Sequence, residues 1–371
     1  VETLMTTVES IPWANPNLWG NEEQYVVQAL TSTWISGGPF VERFENEFAE
    51  YCGVRHAITA SNGTTALHMA FLALGVGPGD EVVVPGFAFM AAANVALHLG
   101  ARPVFTEVDP ATWCMTASGV EELLSPRTKV IVPVHTYGNV CAVDEIVDLL
   151  NGRQICVVED AAEAFASRYK NRLAGTMGLL GTFSFHATKT ITTGEGGMVL
   201  TQSRELYDKM CLFRNHGTSK TRYWHEVAGH NFRLTNMQAA LGCAQLENIG
   251  QIIRGRKRVY ASYQKHLWNI PGVVMQQFNP QVDPVVWAIA VKLDPEAYPQ
   301  GRDAVIDQLK LEHIETRPGF YAASLMGHLY ASPRLRICED VSRQVISLPT
   351  FAKLQEEQIE FICVTVKRLR R

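Results

Sequence analysis

From Thr65 to Glu159 the chain alternates between helically spaced segments and short, continuously apolar runs. Thr65 to Leu74, Ala91 to Leu99, Gly119 to Leu124 and Val143 to Asn151 carry helical spacing; Glu81 to Val84, Pro103 to Val108, Lys129 to His135 and Ile155 to Glu159 read as strands. A strand that is apolar at every position has no face for water. Interleaved with helices, such strands predict an α/β protein with a mainly parallel sheet covered on both faces. Two further strand-like runs follow, Thr182 to His186 and Met198 to Thr201. Sheets of this kind carry their sites at the carboxyl ends of the strands. His135, Asp160 and Lys189 all fall at or just beyond such ends.

Outside this region the pattern changes. Asn21 to Thr31 reads as an opening helix, with Asn21 as cap and Gln24 completing a capping box. Trp34 to Pro39 reads as a loop, and Val41 to Tyr51 as a second helix with Phe44, Phe48 and Tyr51 on one side. After about Gly250, helical segments (Arg254 to Trp268, Arg302 to Leu311, Glu356 to Leu369) flank short strands near Val285 to Val291 and Ile314 to Thr316. The expected organisation is a large domain over 1–250 and a smaller C-terminal α+β domain over 251–371.

A formal net charge of -4 gives no global attraction to nucleic acid or an anionic membrane. No apolar run approaches the roughly 20 residues that span a bilayer. Val1 to Pro12 carries acids and no long apolar stretch, so it does not read as a signal peptide. The eight cysteines are scattered without a C-x-x-C pair, which predicts a reducing, cytoplasmic compartment and no metal site.

Ser61-Asn-Gly-Thr-Thr-Ala-Leu67 turns at Gly63 straight into a helix. The first N–H groups of a helix are unpaired, so this turn can hold a phosphate; taken alone, an ordinary helix cap is the commoner reading. Val84-Pro-Gly-Phe-Ala-Phe89 leaves a strand with two aromatics, either core or a platform for a flat ring. Asp160 ends a buried strand, where a carboxylate needs a cationic partner, unless it caps the segment after it. Lys189 lies in an otherwise uncharged window between two strands, Phe183 to Gly194. A lysine that forms a Schiff base must lose its charge readily, which a desolvated site favours. The order phosphate turn, aromatic, aspartate at a strand end, lysine on a later strand suggests pyridoxal 5'-phosphate (PLP). In that reading Asp160 keeps the pyridine nitrogen charged, and Ser184, near His186, can touch the phosphate.

Val158-Glu-Asp-Ala-Ala162, Ser184-Phe-His-Ala-Thr-Lys189 with Gly194-Glu-Gly-Gly197, and Gly229-His-Asn-Phe-Arg-Leu-Thr-Asn236 together resemble the sugar aminotransferases of the DegT/DnrJ/EryC1/StrS family, within the fold-type I PLP enzymes. The resemblance runs from Trp34-Ile-Ser-Gly-Gly to Glu315-Thr-Arg-Pro318 and implies about seven strands in the mainly parallel sheet. It implies that Lys189 carries the cofactor, Asp160 holds its nitrogen, Phe89 stacks on its ring, and Gly63, Thr64 and Ser184 hold its phosphate. It implies that Asn231 reaches the phosphate of a second subunit, hence a homodimer with shared sites. Glu163 stands where many members carry glutamine or histidine, near the cofactor's O3′. A family subgroup that dehydrates sugars has histidine in place of the lysine; the lysine here implies transamination, with pyridoxamine phosphate as the alternate cofactor form and L-glutamate as donor.

Lys189-Thr-Ile-Thr-Thr-Gly-Glu-Gly-Gly-Met198, Arg222-Tyr-Trp-His-Glu and Glu315-Thr-Arg-Pro look most like members that aminate a GDP-linked 4-keto-6-deoxymannose at C4, for surface polysaccharide or glycoconjugate synthesis. After Pro318 the chain departs, reading Gly319-Phe-Tyr-Ala. Trp34 with its loop and Arg317 are candidate nucleotide-sugar contacts, and His135, Tyr137 and His186 candidate pocket residues, with a structural role as an equal alternative for each histidine. Competing readings are amination of a non-nucleotide ketone, a PLP lyase or dehydratase on the same fold, and a protein that keeps PLP without catalysis. Gly75-Val-Gly-Pro-Gly79 precedes a strand rather than following one, so it reads as a helix end and not a dinucleotide site.

Overall fold

A computed structural model describes residues 10–219, 221–329 and 334–371. The signal-peptide reading of Val1 to Pro12 therefore falls mostly outside the described residues.

The central sheet has seven strands: β1 (His56–Ala60), β2 (Glu81–Pro85), β3 (Arg102–Thr106), β4 (Thr128–Ile131), β5 (Cys156–Asp160), β6 (Leu180–Ser184) and β7 (Gly197–Thr201). Their spatial order is β1-β7-β6-β5-β4-β2-β3. β7 pairs antiparallel with both β1 and β6, and the other neighbours pair in parallel. Side chains alternate across a strand, so both faces need cover. Val82 and Val84 of β2 enter one apolar cluster while Val83 enters the opposite one; Val130 and Ile131 of β4 divide the same way. The α/β sheet read from the sequence is thus observed, with one antiparallel strand in it.

Helix α1 (Glu22–Thr31) forms without the expected capping box. The Asn21 amide instead donates to Glu247 Oε2 at 3.0 Å, and the Glu22 carboxylate accepts the N–H groups of Trp19 and Gly20. An acidic side chain at the first turn has displaced the neutral cap. Helix α2 (Pro39–Cys52) begins at Pro39, which lacks an N–H and suits a first turn. Helix α3 (Gly63–Ala73) starts directly at the carboxyl end of β1. The glycine run after it is a helix end: Gly75 has φ 68°, and its N–H and that of Val76 close onto Leu72 and Phe71.

Helices α4 (Asn236–Glu247) and α5 (Ile249–Leu267) lead into a second, four-stranded sheet. Its strands are β8 (Val273–Met275), β9 (Ile289–Leu293), β10 (Arg317–Pro318) and β11 (Val345–Leu348), in the order β8-β9-β11-β10. Ile314, read as strand from the sequence, forms only a parallel bridge to Ile11. The N-terminal segment lies against this body: Ile11 N donates to His313 O, Glu315 N donates to Ile11 O, and Trp13 Nε1 donates to Ser347 Oγ.

Candidate active site

The functional side chains collect at the carboxyl ends of β1, β5 and β6. Glu159 and Asp160 are neighbours on β5 and point to opposite faces, as strand geometry requires. Glu159 turns away from the cavity. Its fully buried carboxylate accepts Gly175 N (2.8 Å), Met177 N (2.5 Å), Gly178 N (2.6 Å) and His135 Nε2 (2.9 Å). Asp160 lines the cavity, and among the described residues its carboxylate accepts one hydrogen bond, from Ala162 N at 3.1 Å. Burial pushes its carboxyl group upward, against the Ala162 N–H and the charge of Lys189. A buried carboxylate with an unused oxygen is built to meet a cation.

β6 pairs with β5 so that Thr182 stands opposite Asp160, and the chain beyond β6 carries Lys189 back over the same end. Lys189 N donates to His186 O, Gly194 turns the loop at φ 82°, and Phe185 N reaches Gly196 O. From the smaller body, Trp287 Nε1 donates to Thr188 O at 2.7 Å and Arg256 Nη2 to Lys189 O at 3.3 Å. Lys189 Nζ lies 3.7 Å from the Trp287 ring centroid and 3.8 Å from Glu163 Oε1. Burial pushes this amine below the ordinary lysine value, opposed by Glu163 and Asp160 and reinforced by Arg256. Burial lifts Glu163 to about 7, although Lys189 and the Tyr137 N–H, donated to Oε2 at 2.8 Å, favour its charged form.

The start of α3 forms the third wall. Asn62 Oδ1 accepts Thr65 N at 2.9 Å, and Thr65 Oγ1 accepts Asn62 N at 3.0 Å. Ala66 N closes on Asn62 O. The N–H groups of Gly63 and Thr64 have no acceptor among the described residues and stand with Ser184 at the cavity. A Cβ on Gly63 would come within 2.8 Å of Ser184 Cβ, so only glycine lets the turn approach that strand so closely. Phe89 is 60% exposed and faces the same space.

The cavity holds about 860 Å³. These residues fit PLP: unpaired helix N–H groups for the phosphate, an unsatisfied carboxylate for the pyridine nitrogen, an aromatic face for the ring, and a desolvated amine.

Tyr137, His186 and Arg317 also line the cavity. Tyr137 sits at φ 60° with its ring stacked on Phe320 at 5.0 Å, and its hydroxyl accepts Phe320 N. His186 Nδ1 lies 3.0 Å from Thr188 Oγ1. Arg317 pairs with Glu315 and faces Trp13. His135 is elsewhere: fully buried, it bonds Glu159 through Nε2 and accepts Cys141 N through Nδ1 at 3.2 Å. It is spent on holding β4 to β5 and cannot reach a substrate in the cavity. Trp34 is 65% exposed and outside the cavity; its carbonyl is held by Asn236 Nδ2 at 2.7 Å. Asn231 is exposed, with Oδ1 accepting Arg233 Nε, and does not line the cavity of its own chain.

Sequence reasoning passed over Trp13, Trp287 and Phe320, which close the cavity. All three reach it from outside the strand–helix motifs, and no local spacing marks them. The one hint for Phe320 was the departure at Gly319: a Cβ there would come within 2.7 Å of Val345 Cβ, so glycine lets the chain hug β11 and brings Phe320 onto Tyr137.

The profile of the DegT/DnrJ/EryC1/StrS aminotransferase family matches residues 17–367. The chain belongs to that family. As a member of the DegT/DnrJ/EryC1/StrS aminotransferases it is a PLP-dependent enzyme that transfers amino groups. Its relatives include the GDP-perosamine synthases of Caulobacter vibrioides, 41% identical over 98% of this chain and 100% of that one, and of Escherichia coli O157:H7, 41% identical over 96% and 97%. The crystal structure of the aminotransferase TlmJ from Streptoalloteichus hindustanus superposes with a TM-score of 0.91 at 30% identity, covering 96% of this chain and 98% of that one. Among the described residues no helix is long and apolar enough to cross a membrane.

Proposed function

We propose that this enzyme moves an amino group from L-glutamate to C4 of a GDP-linked 4-keto-6-deoxy sugar, with GDP-4-keto-6-deoxymannose as the acceptor. The reading is carried by one observation. The cavity around Lys189 and Asp160 extends past the space a cofactor needs, to an aromatic wall of Trp13, Phe89 and Phe320 with Arg317 at one side. Such a wall suits the apolar face of a deoxy sugar, and a guanidinium suits a diphosphate. The similarity to two GDP-perosamine synthases points the same way. A role in making a surface polysaccharide or glycoconjugate follows from that acceptor.

Bound PLP supplies an electron sink for the carbanion that forms when the donor loses its α-proton. In this reading Lys189 would anchor the cofactor, and its Nζ would serve as the base and acid that moves a proton between the donor's α-carbon and the reacting carbon. Burial lowers the basicity of that amine, which favours its neutral, proton-accepting form relative to an exposed lysine. Asp160 holds the pyridine nitrogen in its charged form. Gly63 N, Thr64 N and Ser184 hold the phosphate, and Phe89 covers the ring. Asn231, which its own cavity does not use, reaches the phosphate of a partner subunit in a homodimer. A cytoplasmic setting suits the eight free thiols.

The test mixes purified holoenzyme with L-glutamate, measures 2-oxoglutarate, then supplies GDP-, UDP- and dTDP-linked 4-keto-6-deoxyhexoses. Release of 2-oxoglutarate that disappears in Lys189→Ala, followed by an amino sugar formed best from the GDP substrate, is expected. Equal turnover of all three nucleotides would remove the GDP assignment. Absence of 2-oxoglutarate would remove glutamate as donor.

A further inference from the structure

A second, much smaller cavity lies on the other side of the Lys189 loop. It holds about 20 Å³, and Thr190, Thr192, Gln245, Arg256 and Thr350 are among its walls. We propose that Arg256 and Thr190 form a binding site for a single small monovalent anion of chloride size.

Arg256 is only 5% exposed. Its Nη1 donates to Val286 O (3.3 Å) and Trp287 O (3.1 Å), and its Nη2 to Lys189 O (3.3 Å). Its Nε has no partner among the described residues. Among the described residues no carboxylate lies within 4 Å of the guanidinium, whereas buried charges are ordinarily paired. Carbonyl dipoles solvate part of that charge but do not cancel it. Burial draws the guanidinium down to about 10, so it remains charged at neutral pH.

The other polar walls separate into used and unused donors. Thr192 Oγ1 donates to Phe185 O and Thr350 Oγ1 to Leu348 O. Gln245 Nε2 donates to Asn17 O and Glu22 Oε1. Thr190 is 6% exposed, and its hydroxyl, which keeps some accessible surface, has no partner among the described residues. The walls thus include a cation and an unused hydroxyl donor around a space above the ~10–15 Å³ a water requires. A water would accept the hydrogen bonds but leave the charge unbalanced. A halide ion does both. The Lys189 peptide separates this cavity from the catalytic one, and Arg256 acts on the Lys189 amine as a like charge. An anion beside Arg256 therefore favours the protonated form of that amine.

Crystals of the holoenzyme grown in sodium bromide, measured for anomalous scattering, locate the ion directly. Melting temperatures of the holoenzyme in sodium chloride and sodium gluconate at equal ionic strength measure its effect. The expected result is a bromide peak within hydrogen-bond distance of Arg256 and Thr190 Oγ1. With it, Tm should be higher in chloride by about 2 °C or more, a gain lost in Thr190→Val. Arg256→Met should lose the gain too, and if it fails to fold the Thr190→Val comparison stands by itself. A lone water beside Arg256 overturns the proposal. So does bromide there without a chloride effect on Tm (an adventitious ion only), or a chloride effect that Thr190→Val retains.

Discussion

Two adjacent carboxylates on β5 divide structure from chemistry. Glu159 accepts four hydrogen bonds and clamps the turn at 175–178 to the sheet, while Asp160 keeps an oxygen for the cavity. Glu159→Ala should therefore cost about 3 kcal/mol of folding stability, read by denaturant unfolding, because buried N–H groups lose a charged acceptor. Asp160→Asn should fold normally and lose at least about a hundredfold in kcat. Glu163 offers a pH signature. Its folded carboxyl titrates at about 7, above the ordinary 4.5, so between those values the folded chain holds a proton that the unfolded chain releases. Stability from this group is present at low pH and lost as the pH rises through that window. Lys189 has the opposite sense: its folded value lies below 10.5, so its contribution grows as the pH climbs toward that figure. In protein stripped of cofactor, Glu163→Gln should flatten the dependence of Tm on pH between 4.5 and 7; an unchanged slope would assign it to another group.

At the scale of elements, the phosphate end of the cavity depends on how α3 begins. The Asn62–Thr65 capping box consumes the third N–H of the helix and leaves the first two aimed at the cavity. Asn62→Ala should cost about 1 kcal/mol and loosen that geometry. Gly63→Ala, with its Cβ 2.8 Å from Ser184, should weaken PLP affinity by roughly tenfold or more, a displacement of about 1.4 kcal/mol or greater, in equilibrium dialysis. This part of the site was legible in the sequence, because a turn opening into a helix is a local signal. The Asp160 to Lys189 pairing was legible for a related reason: both sit at strand ends, and strand ends share one edge of the sheet. His135 also sits at a strand end, yet the chain turns so that its ring packs under the sheet. Spacing gives the end of a strand and not the direction of the last side chain. Trp13, Trp287 and Phe320 were illegible because tertiary packing alone brings them in.

For the molecule as a whole, several polar and aromatic side chains face outward. Asn231 is exposed, and Trp34, Tyr223 and Trp224 show 65%, 79% and 64% of their surface. In the shared-site reading these belong to a partner subunit. Lys189→Ala and Asn231→Ala, each impaired alone, should regain activity when their subunits are mixed and exchanged, because one site of the mixed dimer has both residues intact. Failure to regain activity after verified exchange would place Asn231 outside the shared site.

The sheet order carries a consequence for how the molecule is made. His56 of β1 pairs with Thr201 of β7, so the first strand to leave the ribosome waits for the last of its sheet. At about 5–20 residues per second, that wait is on the order of ten seconds. During it the edge of an apolar strand is unpaired, and the catalytic lysine's loop does not yet exist. Nascent chains halted between β6 and β7 should be sensitive to protease and dependent on chaperones, and those released beyond β7 resistant.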